Sequence, residues 1–165
     1  RPGGYLPPVV PPPVEPVEEP EPVDIPAGHQ AMLDDAQAVC DALDHEEVRS
    51  IAGDFNETRI DDALPVYSLC SFANVGDSEV ARVWIRESYE ADAGMRRIAH
   101  NEYTECDMGG YEGLCQSNQG KPELPNGWPT VVTPMGVLGV EVQTPDPAVA
   151  QELLAAVMDD LEAAQ

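Results

Sequence analysis

Positive charge is nearly missing from this chain: eight Lys and Arg stand against thirty-one Asp and Glu in 165 residues, a formal net charge of −23. A field of that sign repels phosphate backbones and anionic head groups, which excludes nucleic acid as a partner and excludes polybasic adsorption to membranes. Apolar runs are scarce too. The longest, Leu153 to Met158, is far short of the roughly 20 residues needed to span a bilayer, so no transmembrane span is expected. Aromatics make up only 5% of the residues, so the core must be built from Val, Leu, Ile and Ala, which a 42% hydrophobic composition still allows.

Recognisable catalytic patterns are also lacking. His29, His45 and His100 stand far apart with no H-x-x-x-H or H-E-x-x-H spacing, which leaves a catalytic zinc without ligands. Asp54-Phe55-Asn56-Glu57-Thr58 imitates the opening of a calcium loop. Arg59 then occupies the position that needs glycine, and Pro65 stands where the bidentate Glu belongs. No nucleophile elbow, phosphate-binding glycine loop or dinucleotide fingerprint occurs. No metal and no cofactor are expected, and no catalytic residue is assigned.

The four cysteines, Cys40, Cys70, Cys106 and Cys115, are even in number and contain no C-x-x-C pair, so structural disulfides are expected rather than zinc or redox chemistry. Of the three connectivities, the sequential one is favoured: Cys40 with Cys70 and Cys106 with Cys115. Persistent disulfides imply an oxidising, extracytoplasmic compartment.

Proline is concentrated at one end. Residues 1–28 form a Pro-rich, acidic stretch in which each proline fixes its own φ and restricts the residue before it. The expected form is an extended polyproline II tether of about 3.1 Å per residue, with Pro7-Pro8-Val9-Val10-Pro11-Pro12-Pro13 as a candidate docking peptide. The remainder, 29–165, is expected to be a single domain.

Met32, Leu33, Ala36, Val39, Cys40 and Leu43 recur at helical spacing, and Asp44 and Glu47 stand in a capping-box relation before a second helix that Gly53 should stop. Residues 65–72 and 79–85 alternate as a hairpin. Residues 90–101 suit a short helix with Met95, Ile98 and Ala99 inward, and 101–128 read as an irregular loop. Two strands are expected around Pro134-Met135-Gly136. Asp146 and Pro147 then open a terminal helix striped by Val149, Leu153, Val157 and Leu161. The expected class is α+β: an antiparallel sheet covered by an N-terminal helix pair and a C-terminal helix, stabilised by disulfides.

The stretch Ala38-Val39-Cys40-Asp41-Ala42-Leu43-Asp44-His45-Glu46-Glu47-Val48, then Gly53, then Cys70 before a strand, resembles the small function-unassigned lipoproteins and membrane-anchored envelope domains of actinobacteria. An Ala- and Leu-rich closing helix, here Ala148 to Ala164, belongs to the same resemblance. It implies an extracytoplasmic site, leaves open a membrane or lipid anchor upstream of Arg1, and supplies no reaction. The expected function is that of an accessory or binding domain holding a protein partner at the outer face of a membrane. Its expected contact residues are Tyr103, Met108, Tyr111, Leu114 and Trp128 on the stapled loop, since large side chains on a braced loop bind at low ordering cost. The alternative is a secreted hydrolase whose catalytic residues are dispersed in sequence.

Overall fold

The computed structural model describes residues 3–4, 7–12, 25–61, 67–76, 78–99 (backbone alone for 97–99), 103–116 and 128–165. The elements are α1 (Ala27–Asp34), α2 (Ala36–Ala42), α3 (His45–Ala52), β1 (Glu57–Asp61), β2 (Tyr67–Asn74), β3 (Ser78–Arg86), α4 (Tyr89–Ala99), β4 (Tyr103–Met108), β5 (Tyr111–Gln116), β6 (Thr130–Met135), β7 (Leu138–Gln143) and α5 (Pro147–Ala163). They form an α+β fold around one seven-stranded antiparallel sheet of order β1-β2-β3-β7-β6-β5-β4. The chain builds β1 to β3 outward in, crosses by α4 to the far edge, and returns through β4, β5 and β6 until β7 closes against β3.

Strand alternation gives the sheet two unlike faces. Cys70 and Phe72 of β2, Val83 and Ile85 of β3, and Val140 and Val142 of β7 point to one face, where they pack with Val39, Cys40 and Leu43 and with Leu153, Leu154, Val157, Met158 and Leu161 of α5. Each fully buried aliphatic side chain contributes about 1.5–3 kcal/mol. The other face is only partly covered. There α4 sits over β6, β7 and β4, and Tyr89 and Ala93 join Leu114 and Val132 in a second, smaller cluster.

Several local expectations hold. Asp146 caps α5 by accepting from the Ala148 N–H at 2.8 Å, with Pro147 in the first turn. Asp44 caps α3 by accepting from the Glu46 and Glu47 N–H groups, and Gly53 closes that helix at φ 112°, where a side chain would be strained. The return half of the capping box is different: the Asp44 N–H donates not to Glu47 but to Asp160 Oδ2 of α5, at 3.0 Å. The cap therefore also ties α3 to the terminal helix. Asp44→Ala should cost about 1 kcal/mol in a urea titration, and Asp44→Ser, which can still cap, should recover most of it.

This arrangement gathers acids. Burial, then Asp160, Asp44 and Asp159, push the Glu47 carboxyl above the ordinary glutamate value. A raised value means that the folded state holds the proton more tightly than the unfolded one. This contribution is complete below the unfolded pKa and disappears as pH rises through the folded one. This group's own contribution therefore raises the thermal midpoint as pH is lowered, and Glu47→Gln should raise the midpoint at pH 7 and remove that part of its pH dependence.

Other expectations are corrected. The single helix expected through residues 32–43 is two, because Asp35 takes an extended conformation (φ −140°, ψ 102°) and its carboxylate accepts from the Gln37 N–H at 2.9 Å. Asp commonly offers the backbone this alternative to continuing a helix. The hairpin turn placed at Pro134-Met135-Gly136 begins later, at Gly136, with Pro134 and Met135 still in β6. Met95 is 63% exposed rather than inward, and Tyr89 and Ala93 take that role; the side chains of Ile98 and Ala99 lie outside the described residues. The segment read as an irregular loop contains the β4–β5 hairpin. Its turn is Gly109-Gly110, both at positive φ, with Asp107 Oδ1 accepting from the Gly110 N–H. Residues 117–127 lie outside the described residues.

Candidate binding face

Both disulfides follow the sequential pairing: Cys40–Cys70 joins α2 to β2, and Cys106–Cys115 staples β4 to β5. The five side chains expected to form a contact surface are divided between the two faces of the sheet. Met108, Leu114 and Trp128 are buried, with Met108 and Leu114 on opposite faces of the sheet. The Tyr111 hydroxyl meets Asp159 Oδ1 at 2.6 Å and Glu162 Oε2 at 3.1 Å on α5. These hydrogen bonds, led by Asp159, together with burial raise its pKa and keep it a neutral donor. Tyr103 packs against the smaller cluster and accepts from Arg96 Nη1 at 2.9 Å. The cause is the hairpin itself: strand pairing turns alternate residues of the supposed loop inward.

The face that α4 leaves open carries a second group of large side chains. Along β3 the residues Arg82, Trp84 and Arg86 alternate with the core residues Val83 and Ile85, and on β2 Tyr67, Leu69 and Ser71 stand opposite them. The Tyr67 and Trp84 rings meet edge to face at 4.9 Å. The Arg86 guanidinium lies 4.5 Å from the Trp84 ring centre and 5.2 Å from that of Tyr67, while Arg82 lies 5.8 Å from the Trp128 ring. Such cation–π contacts hold the arginines in place, and carboxylates hold them further, Glu79 on Arg82 and Glu141 on Arg86. Arg59 of β1 borders the same face and pairs with Glu57. With Arg96 of α4, four of the eight basic residues of this acidic chain are on this side of the sheet.

Beneath the arginines lies a buried carboxylate. Glu141 of β7, 1% exposed, accepts through Oε2 from Arg86 Nε at 3.1 Å and from Arg96 Nη2 at 2.6 Å, and through Oε1 from Gln143 Nε2 at 3.1 Å. Arg96 is held further by Asp92 at 3.0 Å. Burial alone would lower the Arg96 pKa, but Glu141, Tyr103 and Asp92 outweigh it and the net shift is upward, so this guanidinium stays charged. Around this cluster the Trp84 indole N–H and Gln143 Oε1 are buried with no hydrogen-bond partner. Each such group costs about 1–3 kcal/mol and calls for a reason.

The same side of the sheet has a cavity of about 490 Å³ further toward the β4 edge, lined by Tyr89, Glu105, Cys106, Asp107, Glu112, Gly113 and Pro134. Asp107 and Glu112 are directly opposed across the hairpin. Among the described residues no group of His, Cys, Asp and Glu is placed to hold a metal ion, and no described helix is long and apolar enough to cross a membrane. In comparison with known proteins, no family model matches the chain and no curated protein matches its sequence.

Proposed function

We propose that this chain is an extracytoplasmic accessory domain that holds a protein partner, and that it does so with the open half of the sheet, around Tyr67, Leu69, Trp84 and Arg86, rather than with the β4–β5 hairpin. One observation carries this reading: in a chain of net charge −23, Arg82, Arg86 and Arg96 lie against aromatic rings on one face, where an indole N–H lacks an acceptor. Arginine and aromatic side chains with little left to lose in ordering are what protein-binding hot spots are made of. The two disulfides are compatible with the proposed location, and the resemblance to envelope lipoproteins supports it.

The test compares partner retention from solubilised membranes by the full chain and two variants. Tyr67→Ala combined with Leu69→Ala should lower retention at least tenfold, a loss of about 1.4 kcal/mol or more. Tyr111→Phe, on the helix-covered face, should leave retention unchanged. Equal retention by all three would show that the open face is not the contact surface.

A further inference from the structure

Resting on that binding role, we infer that the open face takes a polyproline II peptide, and that the occupant is the Pro-rich segment of a second copy of this chain. The face has the chemistry such a ligand requires. Proline rings stack on aromatic side chains set side by side, and recognition of polyproline II helices uses aromatic-lined grooves of this kind. A polyproline II backbone makes no internal hydrogen bonds, so every carbonyl along it is an acceptor in search of a donor. The Trp84 N–H is a donor without an acceptor, 4.9 Å in ring separation from Tyr67. Each unmet group answers the other.

One charge agrees as well. Glu15, Glu18, Glu19 and Glu21 follow Pro7-Pro8-Val9-Val10-Pro11-Pro12 in sequence, and the face meets them with Arg86, whereas Arg59 and Arg82 are already paired with Glu57 and Glu79. Arg86 is bound to Glu141 through Nε, which leaves the two Nη groups of its fork for an incoming carboxylate. Its guanidinium also lies over the Trp84 and Tyr67 rings, so its displacement toward that carboxylate would open both rings.

Two observations point to a second copy. Val9 and Val10 are 91% and 81% exposed, so this part of the segment does not rest on its own domain. The segment also leads into α1, which packs on the helix-covered side of the sheet, where the Ser68 hydroxyl donates to the Leu33 carbonyl at 2.7 Å. Its own open face is on the opposite side. A neighbouring copy can present the segment without passing around the sheet edge.

Sedimentation velocity of the full chain over a wide concentration range reads this directly. The wild type should associate reversibly, and a synthetic peptide of residues 2–26 added in excess should dissociate the complex and shift tryptophan emission. Trp84→Phe keeps the ring and removes the N–H. It should weaken association about tenfold, the effect of losing one hydrogen bond to a desolvated donor. Val9→Asp combined with Val10→Asp, in the exposed segment where no packing is lost, should do the same without altering the domain. A wild-type chain that stays monomeric at every concentration overturns the inference, even if the peptide binds. If self-association fails but partner retention still depends on Tyr67 and Leu69, the binding role stands with another occupant. If retention is independent of them as well, both readings fall.

Discussion

Replacing Glu141 by Ala should destabilise the domain by about 3–5 kcal/mol, a large part of the stability of a domain this size. The carboxylate is 1% exposed and answers two guanidiniums, of which Arg96, projecting from α4, is itself largely buried. Its removal leaves Arg96 charged, because Asp92 and Tyr103 still favour the ion, with its nearest counter-charge gone. Glu141→Gln should cost less, since the amide oxygen can still accept from one arginine. Glu141→Leu combined with Arg96→Met should recover much of the loss, because an apolar pair of similar volume avoids burying charge at all. Urea denaturation of the four proteins gives the comparison. A loss under 1 kcal/mol for the Ala variant would mean that the cluster is hydrated and does not hold α4 to the sheet.

The second large effect is expected at Cys40–Cys70. This bridge spans 30 residues and joins a helix to the sheet, whereas Cys106–Cys115 spans 9 within a hairpin already paired through its backbone. On the chain-entropy estimate the longer loop contributes about 3.6 kcal/mol and the shorter about 2.6 kcal/mol. Replacing Cys40 and Cys70 together by Ala should lower stability more than replacing Cys106 and Cys115, by about 1 kcal/mol in denaturant. Alkylation of the native protein without reduction should label no cysteine. Four labelled thiols in fresh material would remove the bridges and, with them, the support they give to an oxidising compartment.

The fold was legible where its signals are local. The Asp44 and Asp146 caps, Gly53, the β2–β3 hairpin and the apolar stripe of α5 each rest on a few neighbouring residues, and each is where periodicity puts it. The β4–β5 hairpin was obscured because its outward positions are Thr104, Glu105, Asp107 and Glu112 and its turn is two glycines, which read as loop composition. Strand β1 was hidden for a similar reason: Glu57-Thr58-Arg59-Ile60-Asp61 is a charged edge, the usual protection against stray pairing.

The binding face is a longer-range product. Arg82, Trp84 and Arg86 do alternate with Val83 and Ile85 in the sequence, and that was the available signal. Their meaning depends on Tyr67 from β2 and Glu141 from β7, fifty-seven residues beyond Trp84 and brought beside it only by the β3–β7 closure. Side chains that looked like a contact surface, Leu114 and Trp128 among them, were drawn inside by the same sheet.

The central claim is that the surface around Trp84 binds. The chain has two tryptophans, so its proton–nitrogen correlation spectrum should contain two indole signals, which Trp84→Phe assigns by deletion. On titration with the peptide of residues 2–26, or with the captured partner, the Trp84 signal should move downfield as its N–H gains an acceptor, and that of Trp128 should move less. A saturable complex in which the Trp84 signal stays in place would contradict the account, because the partner would then be held somewhere other than the open face of the sheet.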